Sequence, residues 1–210
     1  MSRLQTSFVL GFHGCDKELG LQAVNGEVSL VPSKGDFDWI GAGIYFWESD
    51  PLRALEWAQQ KAKRGACKEP FVIGAAIDLG NCLDLMAREN VGLLKDAFES
   101  FQAVQKAANL PMPVNKKAPK DDSPDLVMRY LDCAVVDHLH SIIANSGGDP
   151  FDTVRASFRE GAPIYDGGMI LDRNHSQIAV RNHACIKGLF LPLDVSWPEG
   201  AANKGVTGPK

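Results

Sequence analysis

Three short stretches carry the residue types that could do chemistry. His13-Gly14 closes an apolar run. Gly41-Ala42-Gly43-Ile44-Tyr45-Phe46 runs straight into Ser49-Asp50-Pro51, and Gln177 stands in His175-Ser176-Gln177-Ile178-Ala179-Val180 near the C-terminal end. An imidazole donates or accepts a hydrogen bond according to its tautomer. A glycine, lacking Cβ, lets its backbone approach a partner closely, a tyrosine ring can stack on an electron-poor aromatic, and a primary amide hydrogen-bonds without charge. Taken singly these residues allow such contacts without requiring them, because a lone His-Gly at a strand end is ordinarily a turn.

Other chemistries have little support. The five cysteines, Cys15, Cys67, Cys82, Cys133 and Cys185, are far apart, with no CxxC pair and no histidine at zinc spacing. They read as reduced, mostly buried thiols, and no metal is expected. No GxxxxGK[ST] phosphate loop occurs. With 22 Lys+Arg against 26 Asp+Glu the net charge is -4, which argues against a protein that coats nucleic acid or an anionic membrane. The apolar runs are too short for a membrane span, and the N-terminal run lacks a signal peptide's cleavage site, so the expectation is a cytoplasmic protein without membrane contact.

Periodicity supplies the elements that must position these residues. A strand over 7–12 delivers His13 into a turn, 35–38 is an exposed turn, and 39–47 resumes as a glycine-punctuated strand with Tyr45 and Phe46 on opposite faces. Ser49 or Asp50 caps a helix over 51–63 whose buried stripe is Leu52, Leu55, Ala58 and Ala62, closed by Gly65. Strands are predicted over 71–79 and 82–85. Helices follow over 91–108 and 125–145, separated by a loop carrying Lys116, Lys117 and Lys120, whose charge Asp121 and Asp122 offset. Strands return over 153–158, 177–180 and 186–191. His138 reads as a core histidine, His175 and His183 as loop residues, and Arg155 and Phe158 as part of a strand face. Strands at both ends and helices in the middle favour an α+β fold. It is expected to be a single domain over 1–195 with a helical insertion at about 88–148 and a flexible tail at 196–210.

His13-Gly14, then Gly43-Ile44-Tyr45-Phe46 and an immediate helix start, resembles the ADP-ribosyltransferase superfamily in its poly(ADP-ribose)-polymerase and diphtheria-toxin-like branch, whose signature is His-Tyr-Glu. Residues 175–182 resemble that family's third catalytic strand, with Gln177 where the family has Glu. The resemblance covers about residues 8–64 and, more loosely, 174–191. It implies a split β-sheet core flanked by helices, and NAD as co-substrate. Gly14 would clamp the nicotinamide amide, Tyr45 would stack on the ring, His13 would hold the adenosine-side ribose, Ser49 would touch the amide, and Gln177 would meet the nicotinamide ribose. Trp39 and Trp47 flank Tyr45 and either line that pocket or pack in the core.

Cleaving the nicotinamide–ribose bond builds positive charge on the sugar, and a family Glu sets negative charge beside it. Gln177 gives the hydrogen bond alone, which points to transfer of single ADP-ribose units, to an acceptor needing little activation, or to no transfer. Asp172 or Glu160 could restore the charge. The resemblance thus implies a mono-ADP-ribosyltransferase acting on a protein or nucleic-acid acceptor. A toxin or phage-defence role, and an inhibitor protein as partner, would fit such an enzyme. The alternatives are an inactive NAD-binding or interaction module, and an NAD-dependent RNA 2′-phosphotransferase, which would need Arg155, Arg173, Arg181 or His183 in the site.

Overall fold

The first strand does not stop at His13-Gly14. In the computed structural model, which describes residues 8–119 and 125–192, β1 runs from Phe8 to Asp16 and pairs along its whole length with β3, Pro70–Asp78. The turn expected at Gly14 is replaced by extended ladder, Gly14 opposite Val72. Asp16 then accepts from the Glu18 N–H and starts α1, Lys17–Val24, a helix that the sequence reading did not contain. The tail at 196–210, with Lys120, Asp121 and Asp122 of the central loop, lies outside the described residues.

The remaining elements are β2 (Ile44–Glu48), α2 (Pro51–Lys63), β4 (Cys82–Asp84), α3 (Arg88–Ala107), α4 (Tyr130–Asn145), β5 (Thr153–Phe158), β6 (His175–Val180) and β7 (Ile186–Phe190). The seven strands form one sheet in the order β4-β5-β6-β2-β1-β3-β7, antiparallel except for the β4–β5 pair. The chain is therefore α+β. Of the strand expected at 39–47 only 44–47 belongs to β2, which ends one residue later at Glu48, and residues 125–129 precede α4 instead of belonging to it.

Strand alternation divides the side chains between two layers. Ile44, Phe46, Ile73, Ala75, Ile77, Ile178 and Val180 form a core with Ala23 of α1 and with Leu30. On the other face Leu83, Val154, Ala156 and Ala179 pack under Ala97 of α3 and Val135 and Leu139 of α4. Beside them Trp47 and Val72 pack under Ala54 and Leu55 of α2.

Helix α2 begins where the sequence places it, but the cap is Asp50, whose carboxylate accepts from the Arg53 N–H at 2.9 Å. Ser49 is exposed at φ 55, one residue too early to cap. The buried stripe also differs from expectation. Leu52 is 45% exposed while Arg53 is 8% exposed, because the helix rolls so that Arg53, Ala54, Leu55 and Ala58 face the sheet. Gly14 permits this approach, since a Cβ there would overlap the Ala54 carbonyl and press on the Ala58 nitrogen. The obstructing atoms are helix backbone and cannot swing aside. Gly14→Ala is therefore expected to lose at least about 2 kcal/mol of unfolding free energy in urea titrations, the cost of overpacking a filled interface.

Candidate functional site

β1 and β2 pair only briefly. The Leu10 carbonyl accepts from the Ser49 N–H at 2.9 Å, Gly11 lies opposite Glu48, and Phe12 opposite Trp47. Beyond that point β1 stays with β3 while Gly43, just before β2, exchanges two hydrogen bonds with Ser33. The His13 ring stands at this fork, with Nδ1 2.8 Å from the Tyr45 carbonyl oxygen. Backbone groups alternate sides along a strand. Since Leu10 offers its carbonyl to the β2 side, Phe12 and Gly14 direct their N–H and C=O the same way, and those of Gly14 face the fork.

A carbonyl can only accept, so His13 Nδ1 carries a proton and Nε2 keeps its lone pair. Burial pushes the imidazole down to about 4, with the Lys61 charge adding to the effect and the Tyr45 carbonyl opposing it. The ring is neutral at pH 7.

Tyr45 and Gln177 share the face covered by α2, α3 and α4. Tyr45 lies opposite Ala179 on β6, and Gln177 opposite Trp47 on β2, so the phenol and the amide are diagonal neighbours. The Tyr45 hydroxyl donates to the Gly41 carbonyl at 2.8 Å and accepts from the Ile40 N–H at 3.3 Å. Burial, then the nearby Asp38 carboxylate, raises its pKa and keeps it protonated. Gln177 is 8% exposed, and its Oε1 accepts from Trp39 Nε1 at 2.6 Å. Trp39 in turn packs edge-on against Phe158, with ring centroids 4.9 Å apart. With its oxygen taken, Gln177 presents its NH2 group as a donor.

His13, Gly14, Tyr45 and Gln177 thus lie on three adjacent strands, β1, β2 and β6, but the His13 ring is on the α1 face beside Phe46 while the Tyr45 and Gln177 side chains are on the opposite face. Ser49 does not join them. It aligns with Leu10, four residues from Gly14 along β1, a separation of about 13 Å. The amide contact read for Ser49 is corrected on this geometry.

A cluster that the sequence reading did not assemble borders Gln177. Arg53 Nη2 donates to Glu160 Oε2 at 2.9 Å, with both side chains buried, and Arg173 Nη1 lies 3.6 Å from Glu160 Oε1. His175 is 7% exposed and stacks on Phe158 at 5.4 Å between centroids. It is a strand residue, because β6 starts two positions before Gln177. Trp47 and Trp57 cover the cluster at 6.1 Å between centroids. Of the two acids considered near Gln177, Glu160 belongs here. Asp172 is exposed and accepts from the Ala162 N–H at 2.9 Å. No local pattern joins Arg53 to Glu160; their pairing exists only once the sheet has formed.

Arg155 is on the opposite face, forked onto Glu48 at 2.7 and 2.8 Å and reaching Asp84 at 3.1 Å. Arg181 donates to the Ala42 carbonyl at 3.1 Å, His183 lies in a short 3-10 turn, and His138 meets Ser100 Oγ at 3.0 Å. A surface hollow of about 380 Å³ lies beyond the end of β1, lined by Asp16, Gln22, Cys67 and Lys68, and shares no residue with the fork. Among the described residues no group of three or more His, Cys, Asp or Glu could hold a metal, and no helix is long and apolar enough to cross a membrane.

His13 and His140 both titrate at about 4, chiefly through burial. The unfolded chain, with ordinary imidazoles near 6.5, binds their protons first as pH falls, so stability present above pH 6.5 is lost between 6.5 and 4. Urea midpoints should decline over this window, by on the order of 3 kcal/mol per ring when complete. His13→Asn should show a shallower decline.

No protein-family model, curated protein or solved structure matches this chain.

Proposed function

We propose that this chain is an NAD-dependent mono-ADP-ribosyltransferase with an ADP-ribosyltransferase-like fold, in which the split expected of the sheet is reduced to a fork between β1 and β2 within one seven-stranded sheet. The observation that carries the reading is the fork between β1 and β2, where the His13 imidazole on one face of the sheet and the Tyr45 ring and Gln177 amide on the other stand beside the Gly14 backbone. NAD offers a flat cationic ring with a carboxamide at one end and ribose hydroxyls along its length. The N–H and C=O of Gly14 suit the carboxamide, and the neutral His13 ring suits a ribose hydroxyl, which can donate to Nε2. Tyr45 is the aromatic wall, its hydroxyl already anchored to Gly41.

Gln177 donates to a ribose oxygen from Nε2 and adds no negative charge against the developing cation. Glu160 is the buried carboxylate nearest in kind, but Arg53 and Arg173 already balance it. The chemistry is accordingly slow and suited to single transfers. A protein or nucleic-acid acceptor is compatible with it, as is an inhibitor protein restraining a toxic or phage-defence transferase. Free thiols at Cys15, Cys67, Cys82 and Cys133 suit a cytoplasmic setting.

One observation favours a second reading, an NAD-binding module without turnover: Trp39 occupies the Gln177 oxygen and covers the amide. Nothing comparable favours a phosphotransferase: of its candidates, Arg155 and Arg181 are engaged elsewhere, His183 lies in the 3-10 turn, and Arg173 is paired with Glu160.

Labelled NAD incubated with protein and cell lysate, then digested separately with protease and nuclease, should yield released nicotinamide and a labelled macromolecule sensitive to one of the two. Gln177→Glu should raise nicotinamide release by on the order of 10²-fold, the value of one preorganised charge. Calorimetric NAD binding without release in both proteins would favour the binding module, and no binding would remove both readings.

A further inference from the structure

The part of the sheet face that α2 leaves open is apolar. Side chains alternate along β1, so Phe8, Leu10 and Phe12 share the face of Gly14, over which α2 packs. Phe12 joins the cluster under α2, but Leu10 is 50% exposed and Phe8 59% exposed. On β3 the partner of Leu10 is Ala76, and on β7 the partner of Ala76 is Gly188. A Cβ on Gly188 would meet nothing within 4 Å. Two residues along β7, the Phe190 ring lies over Gly74 and edge-on to Phe12, at 6.3 Å between centroids. These residues form a shallow trough with a floor of Ala76 and Gly188, a wall of Phe8, Leu10 and Phe12, and Phe190 at one end. A contiguous exposed patch of bulky apolar side chains marks a surface that something covers.

The chain supplies a matching segment. β7 is followed by Leu191 and Pro192 and then, outside the described residues, by Leu193-Asp194-Val195-Ser196-Trp197-Pro198. Leu193, Val195 and Trp197 alternate with Asp194 and Ser196, the period-two pattern of an extended run with one face to bury. A proline bounds the run at either end. In extended form its apolar side chains repeat every 6.6 Å or so, about the spacing of Phe12, Leu10 and Phe8 on β1. Residues 1–7 have no such pattern, with Met1 and Leu4 their only apolar side chains.

Direction and reach agree with this match. β1 and β7 are both antiparallel to β3, so they run the same way, and at Phe190 the chain heads for the end of the sheet where α2 packs. It has to turn there, and Pro192 favours a turn. A reversal sends 193–197 back along the trough, and five extended residues span about 13 Å, the length from Phe12 to Phe8. The free edge of β7 is the poorer place for the segment. The ladder slips register between Ala76 and Ile77, and Lys187, bonded to the Ala184 carbonyl, stands on that strand, both devices that blunt an edge.

We infer that residues 193–197 fold back over the α2 side of β1, β3 and β7. Leu193, Val195 and Trp197 face Phe12, Leu10 and Phe8, while Asp194 and Ser196 face solvent. The trough is thus closed by a segment of the same molecule, independently of any NAD chemistry.

The test labels the full chain with 5-fluorotryptophan and follows the Trp197 fluorine signal, identified by its loss in Trp197→Phe. In a docked indole the signal should barely move between light and heavy water and should be the same at every protein concentration. Leu10→Glu, at a half-exposed position, and Val195→Asp, which alters no described residue, should each give Trp197 the solvent shift of a free indole while the Trp39 signal stays in place. Phe8→Glu serves if Leu10→Glu does not fold. A free indole's solvent shift at Trp197 in the unaltered chain overturns the inference. So does shielding that either substitution leaves intact, which puts the segment elsewhere, and shielding lost on dilution, which makes a second copy the occupant.

Discussion

The ladder between β1 and β2 ends at the Phe12–Trp47 pair, and from there an imidazole replaces backbone pairing: His13 Nδ1 bonds the Tyr45 carbonyl. A side chain in that role opens the strands without leaving the Tyr45 carbonyl unmet, which in a buried position would cost about 1–3 kcal/mol. It also fixes the tautomer, because a carbonyl partner requires a protonated Nδ1. The Gly14 backbone and Tyr45 flank this fork, while the β2–β6 ladder sets Gln177 diagonal to Tyr45. On its outer side the fork is braced by α2, which can approach β1 so closely because Gly14 has no Cβ.

Elements with a local cause were legible. Pro51 after a capping carboxylate gave α2 its start, and Gly65 at φ 75 its end. The β-branched and apolar run at 71–77 gave β3, and Thr153–Phe158 was found at its full length. Misreadings occurred where a distant partner decides. His13-Gly14 reads as a turn until β3 supplies nine partners to β1. Ser49 and Asp50 are equivalent caps by composition, and only the Ser49–Leu10 hydrogen bond, which commits Ser49 to the strand pairing, leaves the cap to Asp50. His175 reads as a loop residue because its burial comes from Phe158 and Trp47 on other strands. Arg53 looks like a solvent position because its counter-ion lies 107 residues away.

The two faces of the sheet treat charge differently. On one, Arg155 forks onto Glu48 and touches Asp84, all partly exposed, and spans β6 to tie β4, β5 and β2 together. Its hydrogen bonds are well made, so it reads as bracing. On the other, Arg53 and Glu160 are buried deeply, and polar atoms of Arg53, Glu56, Trp47 and His175 in that cluster find no hydrogen-bond partner among the described residues. A buried ion pair rarely adds net stability, because desolvation of both ions offsets their attraction. Retaining one beside uncommitted donors is poor design for a core and sensible design for a binding surface.

The amide at position 177 then decides what kind of surface this is. A carboxylate there would repel Glu160 and would accept the Trp39 N–H while keeping a charge to set against a sugar cation. The glutamine instead accepts the Trp39 N–H with its oxygen and brings no charge to this face. Of the two imidazoles beside these strands, His13 bonds the Tyr45 carbonyl at the fork and faces the α1 layer beside Phe46. His175 shares the strand and the face of Gln177, with Nε2 unbonded.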